Sequence, residues 1–220
     1  VRPATIHNLT FHGVGEPPRS LDPGEAIVWL STDRFTAMLD TLVGRADVRI
    51  TFDDGNRSDV EVALPALALR GLNATFFVLA GRLDDPEHLG CDDLERLIDA
   101  GMTIGSHGLS HLNWRRCDDE QLAGELAQSR RILEAVTRRP VTRVAVPFGA
   151  YDRRVLRHAR HVGGYERVFT SDGGPARPAA WLQPRTTVIN DAVALAELTV
   201  RPDMAGAARR RVKQVVKRWR

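Results

Sequence analysis

The chain is 220 residues long, 43% hydrophobic and 27% charged, which suits one globular domain with a substantial core. No apolar run approaches the roughly 20 residues that a membrane-crossing helix needs. The net charge of +3 comes from residues 207–220, which hold seven bases and no acid; without them 24 bases face 28 acids, so the body carries −4 and offers no footprint for nucleic acid.

In chain order, short apolar runs predict strands at 5–12, 48–52, 74–79, 102–105, 143–146, 167–170 and 185–189. Between the first two, Phe35, Met38, Leu39, Leu42 and Val43 repeat with the spacing of one buried helical face. Val60, Ala63, Leu64, Leu67 and Ala68 repeat it, with a kink or late start at Pro65. Leu94, Leu97 and Ile98 follow an acidic start at Asp92 and Asp93. Asp118 opens the longest predicted helix, which stops near Arg138 before Pro140. Stretches 151–160 and 192–198 complete the set. Alternating β and α units imply a parallel sheet or a (β/α) barrel, with the site at the carboxyl ends of the strands. Residues 1–8 lack the charged and apolar regions of a signal peptide, which implies work inside the cell or a leader already removed. Cys91 and Cys117 have no metal-ligand spacing and read as free thiols, with a disulfide left open.

Two constellations carry chemistry. Thr51-Phe52-Asp53-Asp54-Gly55 puts adjacent carboxylates at the end of a predicted strand. Asp-Asp-Gly is also good turn chemistry, so alone it reads as a turn before a site. Gly105-Ser106-His107-Gly108-Leu109-Ser110-His111 sets two imidazoles four residues apart, within reach of one cation. Two His and a carboxylate leave coordination positions open for water and substrate. Because both segments follow predicted strands, they fall on one rim.

These two motifs, in this order, resemble the polysaccharide deacetylases of the NodB-homology type, carbohydrate esterase family 4, over about residues 5–190. The resemblance implies an α/β fold, a distorted (β/α) barrel of about seven parallel strands, and metal-dependent removal of acetyl groups from sugars. It assigns Asp54, His107 and His111 to a divalent metal, zinc by default with cobalt, nickel or manganese as substitutes, and Asp53 to the general base. In place of the family's Arg-Pro-Pro-Tyr-Gly, this chain has Ala145-Val146-Pro147-Phe148-Gly149. The arginine that orients the base is missing, and Arg185 is the candidate replacement, weighed against an ordinary surface arginine. The family's late Leu-x-His has no counterpart at Val188-Ile189-Asn190-Asp191. The circularly permuted poly-N-acetylglucosamine deacetylase-like subgroup carries that His on its first strand, where this chain has Leu9-Thr10-Phe11-His12-Gly13, so His12 is the expected general acid. Pro147, Phe148, Gly149, Asp172 and Trp181 are the substrate-side candidates; Asp172 reads equally as part of a turn, and Trp181 as a core residue.

The expected partner is an acetylated sugar or glycan. An O-acetyl esterase, an amidase on a non-sugar amide, and an inactive glycan-binding module that kept the fold are the competing readings. One domain is expected over residues 1–202. In the tail, 203–220, Val212, Val215, Val216 and Trp219 repeat at helical spacing among cations. That pattern fits a helix packed on the barrel or one lying on an anionic membrane surface; the expectation is a cytoplasmic protein, peripheral at the inner face in the second case, or an extracellular one where a leader has been removed.

Overall fold

The computed structural model describes residues 5–18, 20–21, 24–189 and 217. Seven parallel strands close into a barrel in sequence order: β1 (His7–Phe11), β2 (Val48–Phe52), β3 (Ala74–Val78), β4 (Thr103–Ser106), β5 (Arg143–Ala145), β6 (Arg167–Thr170) and β7 (Leu182–Thr187). β1 pairs with both β2 and β7, which removes every sheet edge. Helices α1 (Thr32–Leu42), α2 (Leu64–Ala68), α3 (Cys91–Asp99), α4 (Asp119–Ala123), α5 (Ser129–Thr137) and α6 (Arg153–His161) lie between the strands in sequence.

Alternation along each strand sorts side chains between two cores. Leu9, Phe11, Ile50, Phe52, Phe76, Val144 and Val168 join the main core shared with the helices. Phe11, Phe35, Phe52 and Phe76 form a continuous aromatic row there, with successive centroids 5.2, 5.9 and 4.7 Å apart. Truncating such a ring costs about 3–5 kcal/mol. The alternate residues face inward. Phe77, Ala145 and Phe169 form a separate apolar plug, while Asn8, Thr10, Thr51, Gln183 and Arg185 are buried polar residues joined by hydrogen bonds.

One local feature meets the sequence expectation and two differ from it. The second helix begins as a π-turn, Asp59–Ala63, and becomes α-helical only at Leu64, because Pro65 has no N–H to continue an earlier register. The long helix from Asp118 to Arg138 is interrupted by a π segment, Gly124–Gln128. β7 starts at Leu182, three residues before the expected start, so Pro184 lies inside the strand rather than before it. The barrel accommodates this because the Pro184 carbonyl still accepts from Asn8 Nδ2 at 2.9 Å. Both cysteines are free. Among the described residues no helix is long and apolar enough to cross a membrane. The expected helix at 192–198 and the tail lie outside the described residues, apart from Lys217.

Candidate active site

The carboxyl ends of all seven strands line one cavity of about 420 Å³. His12 follows β1, Asp53 and Asp54 follow β2, Leu79 follows β3 and His107 follows β4. Phe148 follows β5, Ser171 follows β6, and Thr187 ends β7.

Asp53 is buried and faces Arg185 in a two-pronged ion pair, with Arg185 Nη1 to Asp53 Oδ1 at 2.5 Å and Nη2 to Oδ2 at 2.6 Å. The guanidinium is itself fully buried. It also donates to Thr10 Oγ1 at 3.1 Å, Thr51 Oγ1 at 3.2 Å and the Thr170 carbonyl at 3.3 Å, and it lies 5.2 Å over the Phe77 ring. Burial works to raise the Asp53 carboxyl, but Arg185 and then His107 outweigh it and hold it below the usual carboxylate range. The carboxylate is therefore ionised and fixed in orientation.

Asp54 takes a left-handed backbone conformation, φ 75°, which lets adjacent acids serve one rim. Its Oδ1 lies 3.4 Å from His107 Nε2 and 3.5 Å from His111 Nε2, and it is buried without a hydrogen-bond partner among the described residues. His111 is also left-handed, φ 57°, and its ring lies 4.4 Å from Phe148. His107 Nδ1 sits 3.0 Å from the Ala145 carbonyl. A proton on Nδ1 makes that hydrogen bond and leaves the Nε2 lone pair facing Asp54.

This donor set fits a divalent cation. One atom from each of Asp54, His107 and His111 lies within 4.8 Å of the others. Ligands about 2.0–2.2 Å from a common tetrahedral ion stand about 3.3–3.6 Å apart, which matches the two separations from Asp54 Oδ1. Electrostatics agree. Burial works to lower His107, but Asp53 and Asp54 prevail and raise it; a cation would replace the proton those two acids attract. Burial, and then His107, push His111 down to about 4, so it is a neutral imidazole at ordinary pH.

His12 lines the same cavity, and its Nδ1 is buried without a hydrogen-bond partner among the described residues. Of the five substrate-side candidates, only Phe148 lines the cavity, 65% exposed and with φ 56°. Pro147 and Gly149 are buried beneath it and shape the turn; a Cβ at Gly149, φ 58°, would come within 3.1 Å of Ser171 Cβ. The Asp172 carboxylate turns from the cavity to Tyr151 Oη at 2.6 Å, Thr170 Oγ1 at 2.8 Å and Lys217 Nζ at 2.8 Å. The Trp181 expectation needs correction. This residue precedes β7 at the opposite end of the barrel, donating Nε1 to the Tyr165 carbonyl at 2.9 Å beneath Arg160. The core alternative holds instead: Trp181 is partly buried and packs against the main core, and as a residue preceding the last strand it falls at the amino end of the barrel, away from the cavity.

Three contributors carry no signal in the sequence. Glu125 reaches from the π segment to accept from Leu109 N and Ser110 N, both at 3.0 Å, and from Trp114 Nε1 at 3.3 Å. It thus fixes the loop between His107 and His111. Gly108, φ 90°, is required there, since a Cβ would meet Glu125 Oε2 at 2.6 Å. His88, read from sequence as a surface or packing residue, lines the cavity with Arg82, whose Nη1 lies 3.2 Å from His88 Nε2. A backbone bridge from Asn56 to His88 brings that loop beside the first motif.

Comparison with known proteins converges on one group. The family model described as polysaccharide deacetylase matches residues 43–166. YxkH of Bacillus subtilis (strain 168) is 26% identical over 190 residues, or 86% of this chain, and the chain spans 62% of that relative's length. PplD, a Streptococcus pyogenes deacetylase solved in complex with acetate, has a TM-score of 0.76 at 20% identity, covering 91% of this chain and 100% of that one. IcaB from Ammonifex degensii has a TM-score of 0.74 at 20% identity, covering 90% and 96%. A Bacillus cereus polysaccharide deacetylase has a TM-score of 0.75 at 19% identity, covering 89% and 68%. At these identities the solved structures share the barrel fold.

Proposed function

Since the chain belongs to the polysaccharide deacetylase family, we propose that it hydrolyses the N-acetyl group of an amino sugar within a glycan, with Asp54, His107 and His111 holding a divalent cation. The observation that carries this reading is one cavity shared by three groups: an ionised Asp53 fixed by Arg185, a three-donor cation cluster, and His12. A divalent ion in that cluster supplies Lewis-acid polarisation of the acetyl carbonyl and makes bound water more acidic.

The chain's own residues do the rest. Asp53 accepts the proton of the attacking water, and Arg185 keeps the carboxylate oriented and free of a competing proton until then. The addition places negative charge on the former carbonyl oxygen. Collapse breaks the C–N bond, and His12 donates a proton to the departing nitrogen, which leaves poorly as an anion. The products are acetate and a free amine. The wall of Phe148 beside His111 offers an apolar, exposed surface to a sugar face.

The test is acetate release from N-acetylated and O-acetylated oligosaccharides by protein reconstituted with zinc, cobalt, nickel or manganese, with bound metal counted in parallel. Turnover of the N-acetylated substrate, lost in Asp53→Asn with metal retained and lost with the metal in Asp54→Ala, is the expected result. Turnover of only the O-acetylated substrate assigns an esterase. Glycan binding without turnover of either leaves a binding module.

A further inference from the structure

The opposite mouth of the barrel holds a second polar cavity that the proposed chemistry does not use. It encloses about 140 Å³ and is lined by Arg49, Thr51, Thr75, Arg143, Arg167 and Phe169. At about 30 Å³ per water, that is room for roughly four waters, ample for one tetrahedral oxyanion. Arg49 is the second residue of β2, and Arg143 and Arg167 open β5 and β6 side by side in register. Strand alternation turns all three into the barrel, below the plug of Phe77, Ala145 and Phe169.

Three guanidiniums share this space, and none forms an ion pair with a carboxylate among the described residues. The two that are anchored hold neutral groups: Arg143 Nη1 donates to Thr75 Oγ1 at 2.9 Å, and Arg167 Nη1 donates to the Pro178 carbonyl at 2.7 Å. Among the described residues, the Arg49 side chain makes no hydrogen bond. Burial, followed by Arg167 and Arg143, lowers Arg49; burial, followed by Arg167, lowers Arg143, with Glu166 only partly offsetting it. Arginine does not shed its proton to relieve such crowding. Each fork instead matches two oxygens of a phosphate-like anion, and the Thr75 hydroxyl, which accepts from Arg143, keeps its own proton to donate; the Thr51 proton already goes to the Leu9 carbonyl at 2.8 Å.

We propose that this mouth binds an oxyanion of the phosphate class, between Arg49, Arg143 and Arg167. Such a group comes either as a free ion or as the phosphate of a larger molecule entering from below.

Thermal unfolding of the full chain tests this with inorganic phosphate, a glycerol phosphate monoester, and chloride at matched ionic strength, since a ligand of the native state raises the midpoint. A saturable rise with phosphate beyond chloride is expected, with apparent affinity at least tenfold weaker in Arg49→Gln and in Arg167→Gln. Without phosphate, Arg49→Gln unfolds no earlier than the parent, because it loses repulsion and no hydrogen bond. A rise with phosphate alone identifies a free ion, and a rise with both identifies a mouth that admits a phosphate carried by a larger molecule. No rise beyond chloride, or the same rise in Arg49→Gln as in the parent, overturns the site; the second outcome places the phosphate elsewhere, the proposed metal cluster included.

Discussion

Replacing Arg185 with Gln tests the electrostatics of the site directly. The pair it makes with Asp53 has side-chain exposures of 0% and 4%, so solvent screens it little. Removing one partner of a buried pair costs about 3–5 kcal/mol, a large share of a typical domain stability of about 5–15 kcal/mol. Asp53 can limit that loss by taking up a proton. Burial already works to raise its pKa, and Arg185 is the foremost of the opposing influences. Each unit of upward shift costs about 1.4 kcal/mol of the ionised form. The expected outcome is therefore double: a lower denaturation midpoint, and an acidic limb of the acetate-release profile displaced toward alkaline pH with metal content unchanged. Arg185→Lys keeps a charge without the planar fork and should fall between. A Gln variant with the parent's acidic limb and midpoint would show that Arg185 does not set the ionisation of Asp53.

His12→Ala should retain metal and lose far more rate on an amide than on an activated acetyl ester, whose leaving group needs no proton; equal losses on both remove it as the acid. Glu125→Gln should weaken the histidine loop, reducing metal affinity about 10–100-fold with the ligands intact, as read by competition with a chelator. Asp59 is buried with neither oxygen partnered among the described residues, and burial, then Asp54 and Asp53, raise it well above the usual carboxylate range. A raised acid contributes its full stability below the unfolded pKa and loses it as pH rises through the folded one. Asp59→Asn should thus unfold later than the parent at alkaline pH and converge with it in acid; a constant difference across pH would discount the titration.

The sequence alone determined the alternation of strands and helices and the two motifs at strand ends, while the choice of a barrel over an open sheet came from the family resemblance and the strand order from the structure. Strand alternation and helical spacing are local, and a parallel barrel places every strand's carboxyl end on one rim. It was enough to set Asp53, Asp54, His107, His111 and His12 around one cavity and to name Arg185 as the cation to seek beside Asp53. Tertiary structure decided the contacts that span the chain. Arg185 reaches Asp53 from 132 residues away because the seventh strand closes on the first. Glu125 reaches the histidine loop through a π segment that no periodicity announces. Trp181 was weighed as a sugar platform or a core residue, and only the packing of the strand entry against the helices decided for the core. The three arginines below the plug are unremarkable in sequence, each lying in a different strand; only closure of the sheet brings their charges into one space.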